Sequence, residues 1–303
     1  MGNSSSIFAR KRYGVERVCT AWAISRSTVY YGLKSASRSE LPQKRGPKTT
    51  VSDQELLMLI QQIIKERSQV GFHGEGYRKI LFLLRKGNKD RKQVRVAQGR
   101  LLRIMGENDL LSPYRWPHRP AKVHDGKITT DAPDIMWGTD MTSIPLITGR
   151  KGYVYAVVDH CTQECLGFHV AGDADRYSTF EAVKMAVENV RGNVKESIAF
   201  RTILRHDCGS SYLSDYFQNE VRYLGLKSSP AFVRQPQGNG VVERFFKTLK
   251  EQLLWLHMYS SVEDLYKAVA QWIKNYNEHW MVQKNMNMSP ADSRAKFVIK
   301  KVA

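Results

Sequence analysis

Residues 203–212 read ILRHDCGSSY and residues 236–251 read PQGNGVVERFFKTLKE, and each phrase places one acid on a rigid element. The apolar run Thr202-Ile203-Leu204 predicts a short buried strand, and Gly209 turns the chain just beyond it. Asp207 is therefore left at the exposed C-terminal edge of that strand. Glu243 follows with 35 residues between the two. It falls in the first turn of a helix whose apolar positions Val242, Phe245, Phe246, Leu249, Leu253 and Leu256 recur at helical spacing. A third acid, Asp140, lies in residues 135–146, IMWGTDMTSIPL, where β-branched and aromatic residues favour another strand. Spacing alone is weak in a chain with 29 acidic residues; three carboxylates on rigid elements are a candidate metal site.

Outward from these phrases, 303 residues with 42% hydrophobic content suffice for more than one domain with a real core. No apolar stretch approaches the roughly 18 residues of a membrane span, and no secretory leader is visible, so the expectation is a cytoplasmic protein without membrane contact. The Met-Gly-Asn-Ser-Ser-Ser start matches a loose N-myristoylation pattern at Gly2, which nothing else in the chain supports. Cys19, Cys161, Cys165 and Cys208 are too scattered for a disulfide framework and suit a reducing compartment.

The net charge of +18 is uneven. Residues 1–132 hold 26 Lys and Arg against 11 Asp and Glu, while residues 133–303 hold 21 against 18. The first part is the expected docking surface for a polyanion, namely double-stranded DNA. Residues 13–34, YGVERVCTAWAISRSTVYYGLK, read as a helix-turn-helix inside a unit spanning 1–40. Val15, Val18, Cys19 and Trp22 give the first helix an apolar face, Ala23-Ile24-Ser25 makes the turn, and Ser25 or Ser27 caps the second helix. On that second helix Arg26, Ser27, Thr28 and Tyr30 are the candidate DNA contacts. A plain helical hairpin is the alternative, since Ala23 stands where such turns favour glycine. A linker, 41–51, leads to a second helical DNA-binding unit, 52–112, in which Ser52 opens the first of three helices. A basic, Pro-containing linker, 113–132, then reaches the next domain.

From about Pro133 the pattern changes to three strands (135–146, 153–159, 165–171), then a helix (178–190), a strand (201–206), a helix (214–224), a short strand (226–229) and the Glu243 helix. This order describes an α/β core over 133–260, a mixed five-stranded sheet with flanking helices. A C-terminal extension, 261–303, holds one helix at 262–278 and then a polar tail. The Gln237-Gly238-Asn239-Gly240 loop ahead of Glu243 reads as a DNA-contacting lid.

At these residues the chain resembles the OrfB-type transposases of the bacterial insertion-sequence three family, whose core is similar to that of retroviral integrases. The resemblance rests on the helix-turn-helix, on GEGYRKI (74–80), on Trp-x-x-Asp at Asp140, on Asp-x-Gly-Ser at Asp207 and on GNGVVERFFKTLK (238–250). A basic residue seven positions after the glutamate is the family's mark, and Lys250 stands there. The resemblance implies a ribonuclease-H-like fold, a DD(35)E triad of Asp140, Asp207 and Glu243 holding two Mg²⁺ ions, with Mn²⁺ as substitute, and transfer of DNA strands. It also implies binding to the element's terminal repeats, a homo-oligomer on DNA and a place at the bacterial nucleoid. Glu243, Lys247 and Lys250 are spaced to share one helix face, opposite Phe245, Leu249 and Leu256, so both lysines are expected beside DNA.

Two departures stand out: Cys208 where the family shows Asn or His, and HWMVQKNMNMSP (279–290) where it has a Pro-His phrase. His118 and His124 ahead of Cys161 and Cys165 loosely match the zinc module of integrases, but the long gap and the strand positions of the cysteines favour inert thiols. Asp159 lacks a family match and reads as structural. Two other functions stay open at this level, a catalytically silent DNA-binding regulator of transposition and a stand-alone nuclease.

Overall fold

The computed structural model describes residues 10, 12–36, 50–89, 91–111, 129–231 and 239–302. The chain divides into two compact units, Met1–Thr50 and Val51–Ala303. In the first, helices α1 (Gly14–Ala21) and α2 (Arg26–Ala36) are joined by a turn in which Ala23 takes φ +53°, a left-handed conformation that glycine adopts at lower cost. Ser25 caps α2, its hydroxyl accepting the Thr28 N–H. Of the expected apolar face only Cys19 is buried; Val15 and Val18 are half-buried and Trp22 is exposed.

The second unit begins with three helices, α3 (Asp53–Gln69), α4 (Tyr77–Lys86) and α5 (Gln98–Glu107). A reciprocal capping box between Ser52 and Glu55 starts α3. Leu56, Ile60, Ile63, Ile80, Leu84, Leu101 and Met105 recur at helical spacing and close a small core of their own.

The remainder is the expected α/β core. Strands β1 (Met136–Pro145), β2 (Lys151–Asp159), β3 (Cys165–Ala171), β4 (Ile203–His206) and β5 (Lys227–Pro230) form one sheet in the order β3-β2-β1-β4-β5. Short turns join β1 to β2 and β2 to β3, so these pair antiparallel. β4 and β5 follow helical crossovers and pair parallel, β4 with β1 and β5 with β4. This is the ribonuclease-H-like arrangement. One face packs on α6 (Arg176–Arg191) and α8 (Asp215–Tyr223) through Trp137, Tyr155, Val157, Leu204, Val183 and Phe217. Gly167 permits that approach, since a Cβ there would lie 2.4 Å from the Ala182 carbonyl oxygen.

The other face carries α9 (Gly240–Leu249) and α10 (Val262–His279), with Val154, Ala156, Val158, Phe245, Leu249, Trp272 and Tyr276 in its core. Phe72, from the loop between α3 and α4, is buried in this second core as well. The Arg67 guanidinium bonds Glu75 and the His279 carbonyl, so the three-helix segment is fastened to the end of α10.

The structure corrects the expected polar tail. Residues Pro290–Val302 form a helix, α11, and Arg294 on it pairs with Asp134, Asp159 and Glu164. The departing segment 279–290 is folded as well: Lys284 donates to the His160 carbonyl and Asn285 to that of Thr162, both in the turn between β2 and β3. No helix among the described residues is long and apolar enough to cross a membrane.

Candidate active site

The sheet delivers two of the three acids by a simple device. β1 and β4 pair in parallel from Met136–Ile203 to Gly138–Arg205, and Asp140 and Asp207 each come two residues past the last pair. They leave neighbouring strands on the same side of the sheet. Glu243 joins them from the first turn of α9, which packs on that side against β1 and β2. Each aspartate is satisfied locally: Asp140 accepts the Met141 N–H at 2.8 Å and Asp207 the Gly209 N–H at 2.9 Å. A Cβ at Gly209 would sit 3.0 Å from the same Asp207 oxygen, which is why the turn takes glycine.

Electrostatics tie the three together. Burial pushes the Asp140 carboxyl up to about 6; the Met141 N–H opposes this, the charges of Asp207 and Glu243 raise it further, and Lys250 lowers it. Burial also raises Glu243 above the usual carboxylate range. Among the described residues no three His, Cys, Asp or Glu side chains converge closely enough to form a ready metal cage. Like charges without a cation repel, and both aspartates are held by backbone amides. The donor set is still all oxygen on hard carboxylates, which fits Mg²⁺, an ion that keeps much of its water and needs few protein ligands.

The helix after Glu243 departs from the expected register. α9 ends at Leu249, and Lys250–Leu254 form a π turn that inserts an extra residue. Leu254 is therefore buried, Leu253 packs only partly against the core, and Leu256, expected in the core, is 38% exposed. Gln252 explains the change: its side-chain amide accepts the His73 N–H and donates to the His73 carbonyl, both at 2.7 Å. The two lysines, ahead of that insertion, have different partners. The charge of Lys250 acts on Asp140, whereas Lys247 is exposed and pairs with Glu251 at 3.7 Å.

The lid is corrected in part. Asn239 is 5% exposed and donates to the Thr139 carbonyl, so it is a packing element of the core and not a surface contact. Gln237 and Gly238 lie outside the described residues, as do His118, His124 and Gly2. Cys161 and Cys165 are buried, and burial pushes both thiols up, as inert thiols require; Cys208 is exposed and donates to the Ala231 carbonyl. Asp159 is fully buried, accepting the backbone N–H groups of Asp134, Cys161 and Thr162, a turn-holding role. In the first unit Arg26 pairs with Glu16, and the Ser27 and Thr28 hydroxyls both meet Ser25; Tyr30 stands 57% exposed.

Sequence reading passed over His206, which is buried beneath Asp207. Its ring bridges the Asp207 carbonyl and the Ser228 hydroxyl and stacks on Tyr212, which fastens the end of β4 to β5. The signal was a histidine directly before the acid at a strand end.

The chain is similar to several known proteins. Two family models, both described as integrase core domain, match residues 130–236 and 224–280. The putative transposase InsK for insertion sequence element IS150 of Escherichia coli is 24% identical, over 94% of this chain and 95% of that protein. The transposase InsD for the IS2 elements of Escherichia coli is 26% identical, over 92% of this chain and 89% of that protein. Among solved structures, the simian T-cell lymphotropic virus intasome is 14% identical with a TM-score of 0.47, covering 76% of this chain and 73% of that one. The HTLV-2 integrase catalytic core domain in complex with magnesium is 17% identical with a TM-score of 0.41, covering 54% of this chain and 98% of that one. Residues 130–280 thus match integrase core domains, and over nearly its whole length the chain is a homologue of insertion-sequence transposases, proteins of the polynucleotidyl-transferase class.

Proposed function

We propose that this chain is an active DNA transposase of the bacterial cytoplasm and nucleoid: it binds the terminal repeats of its element, cleaves the strand at the element's end and transfers the freed 3′-OH to a second phosphodiester. The observation that carries this reading is geometric: Asp140 and Asp207 each stand two residues past the last β1–β4 pair, on the side of the sheet where α9 presents Glu243 in its first turn. Burial holds the Asp140 carboxyl up to about 6 and the charges of Asp207 and Glu243 raise it further, which suits acids completed by cations and substrate. Asp140, Asp207 and Glu243 would hold two Mg²⁺ ions, with Mn²⁺ as substitute. When bound, such a pair neutralises the phosphate and polarises its oxygens.

The protein's own part is largely position and charge. Asp140, on β1, lies between β4, which leads to Asp207, and the α9 helix packed on β1 and β2, so it would share the ions with both other acids. Lys250 supplies a positive charge that acts on Asp140 and would position a DNA phosphate beside it. Arg26, Ser27, Thr28 and Tyr30 of α2, with the basic segments to residue 132, bind the element's ends, and two or more copies assemble on paired ends. No Ser or Tyr nucleophile is required.

The test is incubation of the full chain with labelled element ends and Mg²⁺, looking for joined strands. Asp140→Asn, Asp207→Asn and Glu243→Gln are each expected to reduce joining to background while end binding persists. Joining at the wild-type rate by any one of them would remove that residue from the site.

A further inference from the structure

Asn239 opens α9, the helix that carries Glu243 one turn later, and it occupies the position where an asparagine side chain ordinarily accepts an N–H of the helix's own first turn. Here it makes no such cap. Its Nδ2 instead donates, at 3.0 Å, to the carbonyl of Thr139, 100 residues away in sequence and directly before Asp140. The bond lies one residue past the last pair of the β1–β4 ladder, where that ladder stops so that Asp140 and Asp207 can project. At this point no strand pairing fixes β1 on its β4 side.

The neighbourhood is shaped around the amide. A Cβ on Gly138 would come 2.9 Å from the Asn239 Oδ1 and 3.0 Å from the His160 Nε2, so glycine leaves the slot that the amide and the imidazole fill. Asn239 and His160 are 5% and 2% exposed, and neither the Asn239 Oδ1 nor either ring nitrogen of His160 has a hydrogen-bond partner. An apolar side chain would meet less desolvation cost in such a place. A buried amide that gives up a helix cap and leaves its acceptor unmet is retained for what its donor holds.

We infer that Asn239 is a positioning residue that sets the distance between the Glu243 helix and the Asp140 strand by tying the start of α9 to Thr139, with Gly138 and His160 forming its slot. This rests on the reading of Asp140 and Glu243 as ligands of one metal site. A tie of this kind acts on metal affinity, as supporting groups around metal ligands do, and leaves DNA-end recognition alone.

The experiment uses the full chain with Asn239→Ala and with Asn239→Asp, the latter isosteric but presenting an acceptor to the Thr139 carbonyl. Mn²⁺ binding to the DNA-free protein is measured by electron paramagnetic resonance, alongside end binding, melting temperature and the Mg²⁺ dependence of single-turnover joining. Expected are a loss of about 10-fold or more in Mn²⁺ affinity, a matching rise in the Mg²⁺ needed for half-maximal joining, and unchanged end binding. Wild-type Mn²⁺ affinity in both variants overturns the inference even if their melting temperatures fall. Failure of both to fold overturns it too, by making the amide a folding element. Asp140→Asn, measured in parallel, separates the two levels: if it keeps wild-type Mn²⁺ affinity, the metal reading itself fails, whereas its loss together with unaffected Asn239 variants removes only the tie.

Discussion

At the scale of single residues the site carries a stability cost that can be measured. Asp140 is harder to ionise in the folded chain, with its carboxyl at about 6 against an ordinary 3.8. A raised carboxyl means that the folded state holds the proton more tightly than the unfolded one. Asp140 therefore favours folding most below about 3.8, and this contribution is lost as pH rises to about 6 and stays lost above it. Asp140→Asn removes the penalty. In EDTA at pH 7.5 the variant should melt at a higher temperature than the wild type, and the gap should close on acidification from pH 6 towards pH 4. Added Mg²⁺ should raise the melting temperature of the wild type and not of the variant, because only a ligand bound by the native state stabilises it. Equal melting temperatures at pH 7.5 would show that Asp140 is not under charge strain.

At the scale of elements, the strands, their order and the Glu243 helix were legible because alternation and helical periodicity report burial directly. What escaped followed from polar contacts that periodicity does not encode. Leu253 and Leu256 sit at perfect helical spacing after Leu249, yet the Gln252 bond to the His73 backbone draws in a π turn and buries Leu254 instead. The two lysines ahead of that turn differ in their partners, Lys250 acting on Asp140 and Lys247 pairing with Glu251. Lys250→Ala should thus slow single-turnover joining by about tenfold, on the scale of a lost charge-assisted phosphate contact, while Lys247→Ala stays near wild type; equal effects would return both to one solvated face. The helix α11 was hidden because its anchor is a cation. Arg294 is the counter-charge for Asp159, which is fully buried, and for Glu164 and Asp134. Arg294→Ala leaves those carboxylates unpaired and should cost about 3 kcal/mol in urea unfolding, far more than the surface pair of Arg26 and Glu16. A loss under about 1 kcal/mol, the range of exposed pairs, would show α11 to be a loosely held appendage.

At the scale of the whole molecule, charge and architecture divide at different places. The basic excess runs to residue 132, but the compact units meet at residue 50, and the three-helix segment that follows is fastened to the core through Phe72, His73 and Arg67. A cut at residue 112 would strip Phe72 from the core's own apolar cluster, so loss of DNA binding there would report damage as much as recognition. A cut at residue 50 follows the boundary between the two compact units. Residues 1–50 hold 10 Lys and Arg against 2 Asp and Glu, and residues 51–132 hold 16 against 9, so the truncated chain loses about half of the basic excess. Each phosphate neutralised on duplex DNA contributes about −0.9 to the slope of log K against log salt. The 51–303 chain should therefore melt cooperatively like the full chain, bind random duplex with a shallower salt slope, and lose its preference for the element's ends, since Arg26, Ser27, Thr28 and Tyr30 have gone with α2. Competition binding at several salt concentrations measures slope and preference together. An unchanged preference would move recognition into the three-helix segment, while an unchanged slope would show that the charges of residues 1–50 do not touch the DNA.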